Sequence, residues 1–295
     1  MIPQFFDIHT HVNFAAFDED RDEVVKRALA GGVWMINVGT QKGTSLKAVE
    51  LANKYKEGVY AIIGLHPIHT GKSYHDKEEL GSATVKASDG QAGQTGFVSR
   101  GEVFDKNYYK KLAEDKKVVG IGECGLDYYH LDSNFIEKQK QAFIDQIKLA
   151  NEINKPLMLH IRNGEDNKQG RQAYKDTLEL LKTYSKTKGN AHFFAGSWEE
   201  TKQFLELGFT LSFTGVITFT HDYDEVIRNI PLDMIMSETD APFVSPVPYR
   251  GKRNEPVFVR EVVKKIAEIK GENFEKIAFS LIQNARRVFK IDKTS

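Results

Sequence analysis

Two histidines, His9 and His11, lie one residue apart near the amino terminus in the segment FFDIHTHV, residues 5–12. The flanking residues are largely apolar and predict a buried β-strand. Side chains two residues apart on a strand point to the same face, so the two imidazoles should lie side by side. Two titratable rings in a core either find ordinary hydrogen-bond partners or together hold a metal ion.

Other imidazole and carboxylate side chains fall at the carboxyl ends of further predicted strands. Short apolar runs predict eight strands, at residues 4–12, 33–39, 59–67, 118–126, 156–162, 191–196, 209–215 and 233–241. The chemically distinctive residues at these ends are His9, His11, His66, Glu123, His160, His192 and Asp240. In a (β/α)8 barrel all these strand ends converge on one face, where the active sites of that fold are built.

Each of these residues also has an ordinary explanation when it is taken alone. A lone histidine is more often a hydrogen-bonded structural residue, Glu123 could cap a helix, and Asp240 could form a turn before Pro242. Their joint placement on one rim argues against a separate structural explanation for each residue. Six nitrogen and oxygen donors on that rim suit divalent cations; they are His9, His11, Glu123, His160, His192 and Asp240.

The number of donors favours two ions. Each site needs at least three protein ligands plus water. Four histidines, one glutamate and one aspartate suffice for two such sites only if a carboxylate is shared. Imidazole and carboxylate ligands without thiolate indicate Zn, Mn, Fe, Ni or Mg. Cys124 follows Glu123 directly, so strand alternation should turn its thiol away from the ions.

The surrounding pattern predicts an α/β protein with a closed TIM barrel. Helix-like segments such as 19–32 and 133–155 separate the eight strands, and eight strand–helix alternations favour a (β/α)8 barrel. A doubly wound open sheet is the competitor, but no glycine-rich phosphate turn follows the first strand. We expect one domain over residues 1–295, with a long insertion after the third strand at about residues 70–105.

Composition restricts the setting and the partners. The 295 residues carry equal numbers of basic and acidic side chains, so a nucleic acid would have to be gripped locally rather than by bulk charge. One cysteine suits a reducing compartment. We found neither a signal peptide nor a run of ~20 apolar residues, and therefore predict a cytoplasmic monomer without a membrane span.

The motifs together resemble the TatD-type metal-dependent deoxyribonucleases over almost the whole chain. They are DIHTHV (7–12), GLHP (64–67), GIGECGLDYY (120–129), LHIR (159–162), HFFAG (192–196), ETDAPF (238–243) and PVPYRGKRNEPVFV (246–259). The resemblance implies a barrel hydrolase with two divalent metal ions (Mg, Mn or Zn) that cleaves phosphodiester bonds. In the family this is chiefly 3′→5′ exonuclease activity on DNA, so a nucleic-acid substrate with single-stranded or frayed DNA ends is expected.

The resemblance also implies roles for individual residues. His9, His11 and Asp240 would hold the first ion, His160 and His192 the second, and Glu123 would bridge them. As catalytic residues we expect Glu123 as this bridge and Asp240, which can both ligate and accept a proton from the attacking water, as the general base. The expected substrate contacts are His66 and Arg162 on the rim, and Arg250 and Lys252 in a basic cluster with Arg253.

Some positions depart from the family pattern, and one alternative keeps the site but changes the substrate. Asn13 stands where relatives tend to have an acid, and in GLHPIH the second histidine, His69, is displaced by one residue. The alternative is an amidohydrolase or esterase, such as an aminoacyl-tRNA deacylase. Enzymes of that kind often bridge their ions with a modified lysine, and no lysine ends a predicted strand here.

Overall fold

In the computed structural model, eight parallel strands form one sheet in the order of the sequence. The structure describes residues 3–71, 79, 101–129, 135–164 and 172–291. The strands are β1 (Phe5–Thr10), β2 (Val33–Val38), β3 (Val59–Ile63), β4 (Val118–Asp127), β5 (Leu157–Arg162), β6 (Gly189–Ala191), β7 (Thr210–Phe213) and β8 (Ile235–Ser237).

Helices connect the strands and lie around the sheet. They are α1 (Arg21–Ala30), α2 (Lys42–Asn53), α3 (Lys106–Leu112), α4 (Ile136–Ile153), α5 (Ala173–Tyr184), α6 (Trp198–Glu206), α7 (Asp224–Asn229), α8 (Val259–Lys270) and α9 (Phe274–Val288). The amphipathic segment 133–155 is the source of α4, which buries Phe143, Ile147 and Ala150 as its 3.6-residue periodicity predicts. The (β/α)8 fold class predicted from the sequence is confirmed.

The barrel closes between its first and last strands close to the predicted site. The backbone N–H of His11 donates to the carbonyl of Ala241 over 2.8 Å, and the N–H of Asp240 donates to the carbonyl of His9 over 2.8 Å. Closure therefore brings a segment near residue 10 and a segment near residue 240 to the same edge. The chain's two most distant site motifs become neighbours through main-chain hydrogen bonds.

The sixth strand lies earlier in the chain than the sequence predicts. Residues 191–196 were expected, whereas β6 spans Gly189–Ala191 and leaves His192 directly after it. A Cβ at Gly189 would lie 2.0 Å from the carbonyl oxygen of Leu157, so the close approach of β5 requires glycine there. Asn190 is buried and donates to Ser212 Oγ over 2.6 Å, which satisfies a polar side chain inside the barrel.

The predicted insertion lies mostly outside the described residues. Of residues 70–105 the structure describes 70–71, Glu79 and 101–105, so the expected extent of the insertion stays a prediction, as does the single domain. Among the described helices none is long and apolar enough to cross a membrane. Cys124 is buried, and its Sγ lies 3.5 Å from the carbonyl oxygen of Met158 on the neighbouring strand.

Candidate metal centre

The side chain of Glu123, on β4, lies at the centre of the predicted donor group. One of its oxygens, Oε2, lies 3.4 Å from Nε2 of His9 and 3.8 Å from Nε2 of His11. The two imidazoles lie side by side, as their spacing on β1 predicts, with 3.2 Å between their Nε2 atoms. Asp240 completes this side, because its Oδ1 lies 3.3 Å from His11 and 3.7 Å from His9.

The other oxygen of Glu123, Oε1, faces a second group of imidazoles. It lies 2.9 Å from Nδ1 of His160, at the end of β5, and 3.0 Å from Nε2 of His192, directly after β6. His66, which follows β3, brings its Nε2 to 3.3 Å from the same oxygen. The two oxygens of one carboxylate thus address two separate sets of nitrogen donors.

The donor set fits divalent ions held by nitrogen and oxygen. Ligand atoms around one such ion lie about 3.0–3.4 Å apart, because metal–ligand bonds are about 2.1 Å long. Most of the separations above fall close to that range. Among the described residues, three groups of three have donor atoms that all lie within 4.8 Å of one another. They are His9–His11–Asp240, His66–Glu123–His160 and, as the third, His9–His192–Glu238. The third group adds a carboxylate that the sequence reasoning did not select.

Two carboxylates missed from the sequence orient the second group of imidazoles. Asp127 Oδ2 lies 2.9 Å from Nε2 of His160, and Glu238 Oε1 lies 3.2 Å from Nδ1 of His192. A partner on the second ring nitrogen fixes the tautomer and leaves the first nitrogen free for a metal. The available signal was spacing, since Asp127 lies on the same strand as Glu123 and Glu238 precedes Asp240 by two residues.

Glu238 is itself held firmly in place. Its Oε1 accepts the backbone N–H of Phe193 over 2.6 Å, and its Oε2 accepts the hydroxyl of Ser212 over 2.6 Å. The side chain is fully buried. Phe193 has a positive φ of 43°, a backbone conformation that turns its N–H toward the carboxylate and is uncommon for an aromatic residue.

In the first group of imidazoles, His11 is oriented by a neutral acceptor, whereas the buried Nδ1 of His9 has no hydrogen-bond partner among the described residues. Nδ1 of His11 lies 2.9 Å from the carbonyl oxygen of Val38, the last residue of β2. Asn13 donates to the same carbonyl over 3.2 Å and to the carbonyl of Thr44 over 3.0 Å. The amide therefore fastens the loop after β1 to β2 and shares the acceptor that orients His11.

Burial and mutual proximity shift the pKa values of the group. Burial alone raises the pKa of Glu123, but the surrounding imidazoles, His66 and His192 foremost, hold it well below its usual value. Burial lowers the pKa of His160, yet hydrogen bonds to Asp127 and Glu123 raise it to about 9. The metal-free group therefore keeps Glu123 ionised and holds a proton on His160 that a cation would displace.

His9 behaves differently from the other imidazoles of the group. Burial lowers its pKa to about 3, helped by the ring of His192, which stacks on it with 3.7 Å between centroids. A ring kept neutral in this way offers a lone pair without first losing a proton. His9 is thus suited to ligate a cation across the whole physiological pH range.

A cavity of about 530 Å³ opens above the group and contains two of the expected substrate contacts, His66 and Arg162. The guanidinium of Arg162 lies over the ring of Tyr129, 3.8 Å from its centroid. The lining also includes Glu79, described within the insertion, whose Oε1 accepts the hydroxyl of Thr40 over 2.5 Å. Nothing in the sequence pattern of residues 70–105 singles out Glu79.

The basic cluster after β8 lies apart from the cavity lining. Arg250 packs its guanidinium over the ring of Phe219, 4.0 Å from the centroid, and donates to the carbonyl of Ser245 over 2.8 Å. Lys252 is exposed. Arg253 is occupied by Asp20, with N–O separations of 2.9 and 2.6 Å. Substrate contacts by Arg250 and Lys252 stay a prediction, and Arg253 has a structural partner.

The sequence profile of the family described as "TatD related DNase" matches residues 6–290. The uncharacterized metal-dependent hydrolase YabD of Bacillus subtilis is 36% identical over 292 residues, covering 97% of this chain and 99% of its own. The 3′-5′ ssDNA/RNA exonuclease TatD of Pantoea ananatis is 30% identical, covering 96% of this chain and 98% of its own.

A solved structure agrees with this likeness. The crystal structure of YjjV, a TatD homolog from Escherichia coli K12, superposes with a TM-score of 0.77 at 26% identity and covers 99% of this chain and 100% of its own. Family profile, relatives and fold extend over the same residues that build the candidate metal centre. The chain belongs to the TatD family of metal-dependent hydrolases.

Proposed function

We propose that this protein hydrolyses phosphodiester bonds with two divalent metal ions, acting as a 3′→5′ exonuclease on single-stranded or frayed DNA ends. The observation that carries the two-metal part is the arrangement of Glu123, whose two oxygens face two separate imidazole groups. A carboxylate can give one oxygen to each of two ions, and two-metal sites of phosphodiesterases have ions about 3.5–4 Å apart. The relative from Pantoea ananatis, a 3′-5′ ssDNA/RNA exonuclease, supports the substrate class.

In this proposal His9, His11 and Asp240 would hold one ion, and His160 and His192 would hold the other. Glu123 would contribute a ligand to both. The bound ions would supply Lewis acidity and lower the pKa of a coordinated water toward about 7. The remaining catalytic work falls to the protein's own side chains.

Asp240 is the proposed general base. It lies in the cavity wall beside His11, and its side chain is 13% exposed, so a water molecule at the cavity floor can reach it. A carboxylate in that position can accept the proton of an attacking water. Its positive φ of 55° and the hydrogen bond from its N–H to His9 fix where the carboxylate points.

His66 and Arg162 are the proposed phosphate contacts. Arg162 is exposed at the cavity mouth, where its planar guanidinium can pair with a phosphate in bidentate fashion. Nε2 of His66 faces Glu123 Oε1 at 3.3 Å, so this ring could equally complete the second metal site. Arg250 and Lys252 would contact the strand farther from the scissile bond.

The walls of the cavity suit unpaired bases. Apolar side chains surround the polar floor; they include Phe14, Ile68, Phe193 and Phe243. Stacking on aromatic rings contributes about 1–3 kcal/mol per base without reading sequence. A protein with zero formal net charge must obtain its grip from such local contacts.

The test uses single-stranded oligonucleotides labelled at either end, with added Mg²⁺ or Mn²⁺. We expect stepwise shortening from the 3′ end, and Asp240→Asn should lose at least about a hundredfold in rate while retaining the fold. Glu206→Gln, an exposed carboxylate on α6, is the matched control and should leave the rate unchanged. Hydrolysis of esters or amides, including aminoacyl-tRNA, with DNA and RNA left intact would reject the nuclease in favour of the deacylase alternative.

A further inference from the structure

The end of the barrel opposite the metal centre carries a cavity lined by basic side chains. Its volume is about 310 Å³, and its lining includes five cationic residues: Lys155, Lys186, Lys188, Arg287 and Lys290. Among the described residues, no carboxylate is part of this lining. Lys155 and Lys188 precede β5 and β6, whereas His160 and His192 lie at the other ends of those strands. Six residues of β5 span about 20 Å, so the two cavities are separate.

These five cations border one concave space without a carboxylate partner for any of them among the described residues. Within the described residues none of the five forms a salt bridge, whereas Lys42 pairs with Asp105 and Lys276 pairs with Glu272. Those of the five that donate hydrogen bonds donate them to neutral oxygen atoms. Lys155 donates to the carbonyl of Val118 over 2.5 Å.

The neutral contacts leave donor capacity unused. Lys290 donates to Asn154 O and Oδ1 over 2.8 and 3.0 Å, which uses two of its three ammonium hydrogens. Arg287 donates to the carbonyl of Asp233. Within the described chain the hydroxyl oxygen of Thr187, another lining residue, is buried and has no hydrogen-bond partner. Several donors therefore border one concave space without an acceptor of their own.

Burial and a nearby like charge disfavour the cationic form of Lys155, the least exposed of the five side chains. Burial lowers the pKa of Lys155, and the nearby charge of Lys290 lowers it further, while Asp115 is the acidic group that opposes this. Asp115 already accepts from Asn53 over 2.6 Å and from the backbone of Lys117 over 2.8 Å. Placing like charges together without a counter-charge costs stability, and an anion in the cavity would offset that cost.

We propose that this basic cavity binds a compact phosphate chain, such as the diphosphate or triphosphate group of a nucleotide or inorganic polyphosphate. A single phosphate carries about −1.5 to −2 charges at pH 7, so it offsets fewer than half of the five cations. Two or three linked phosphates match the charge better. The concave shape and its limited volume favour a short chain over an extended nucleic-acid backbone. The proposal is independent of the proposed nuclease activity.

The experiment titrates the metal-loaded protein with tripolyphosphate by calorimetry at low and moderate salt, with inorganic phosphate and an oligonucleotide of eight thymidines for comparison. Lys186→Glu/Lys188→Glu should weaken tripolyphosphate binding at least about tenfold. Both side chains are exposed, so the fold should persist, and Lys186→Gln/Lys188→Gln should give a smaller loss. The control, Lys47→Glu/Lys264→Glu, reverses two exposed charges elsewhere and should stay within about twofold of the parent.

The outcomes separate the proposal from its competitors. Tripolyphosphate could also release heat by removing metal from the active site, and that heat would be the same in Lys186→Glu/Lys188→Glu. Heat that is unchanged in this variant overturns the proposal. An equal loss in the control pair would reduce the effect to net charge and overturns it as well. Lys186→Glu/Lys188→Glu leaves the metal centre intact, so binding or hydrolysis of the oligonucleotide there contributes equally to parent and variant. A larger loss of oligonucleotide binding than of tripolyphosphate binding in this variant would reject the compact ligand. Selective loss in the cavity variants, with tripolyphosphate preferred, supports it.

Discussion

Replacing Asp127 by asparagine should weaken the binding of one metal ion and change the pH dependence of that binding. Asp127 Oδ2 lies 2.9 Å from His160 Nε2, and the carboxylate is about 10% exposed, so the bond is charge-assisted and poorly hydrated. Such bonds contribute about 1.5–3 kcal/mol. Partners of this kind change metal affinity by about 10–100-fold. At a pH where His160 carries no proton, we expect that loss for the ion held by His160 and His192.

Proton competition makes the effect depend on pH. The pKa of His160 in the metal-free protein is about 9, raised above its usual value by Asp127 and Glu123 against the lowering effect of burial. Below pH 9 a metal must displace this proton, which costs about tenfold in affinity per pH unit, or about 100-fold at pH 7. Without the Asp127 charge the pKa of His160 falls, so the proton competes less with the metal. The loss of metal affinity in the variant should therefore be full near pH 9.5 and smaller at pH 7.

The assay is a competition of each protein with a chromophoric chelator for Zn²⁺ or Mn²⁺ between pH 6.5 and 9.5. We expect log affinity of the parent to rise with pH more steeply than that of Asp127→Asn, by about one proton per ion between pH 7 and 9. Burial lowers the pKa of His192, but Glu123 and Glu238 raise it above its usual value. Proton release from His192 accounts for the pH slope of log affinity that remains in the variant. Nitrogen-detected NMR of the metal-free proteins follows the His160 pKa directly.

The control for this prediction is Asp176→Asn. Asp176 accepts the hydroxyl of Tyr128 over 2.8 Å and pairs with Lys140 at 2.8 Å, yet touches none of the candidate ligands. It should leave both metal affinities and their pH slopes unchanged. Equal weakening of both ions in Asp127→Asn, or a slope identical to that of the parent, would refute the assigned role of the Asp127–His160 pair.

Three further expectations follow from single side chains. Glu123→Gln should lower the stoichiometry of tightly bound metal measured by atomic emission, because an amide offers one acceptor oxygen where the carboxylate offers two; two retained ions would exclude the bridge. Arg162→Ala should raise KM for oligonucleotide about tenfold with a small change in kcat, and an unaltered KM would place phosphate binding elsewhere. Gly189→Ala should lower the free energy of unfolding by at least about 3 kcal/mol in urea titrations, since its Cβ would meet Leu157 O at 2.0 Å; a near-neutral effect would contradict that contact.

The sequence was sufficient for the barrel because strand and helix periodicities repeat eight times. It failed at β6, where Gly189 and Asn190 resemble turn residues by type. Their place in a strand depends on tertiary contacts: β5 approaches too closely for a side chain, and Ser212 on β7 pairs with the buried amide. Local propensity cannot predict either contact, because both partners lie about 20 to 30 residues away in the chain.

The same distinction explains which site residues were foreseen. Residues such as His9 and Glu123 could be selected because each lies in the carboxyl-terminal half of its strand, and the fold alone carries these strand ends to one rim. Asp127 and Glu238 act only through the histidines that they orient, and their pairing depends on the register of β4 with β5 and on the loop after β8. Spacing rules that search for ligands pass over such partners.

These unforeseen partners make the two sides of Glu123 unequal. His11 is oriented by the neutral carbonyl of Val38, whereas His160 and His192 are each backed by a carboxylate. An imidazole backed by an anion is a more basic donor, so the side facing Oε1 should hold a cation more firmly once its protons have left. The opposite side contains Asp240, which must stay available for a proton in the proposed reaction. In the proposed reaction, tight cation binding and proton transfer thereby take place beside opposite oxygens of Glu123.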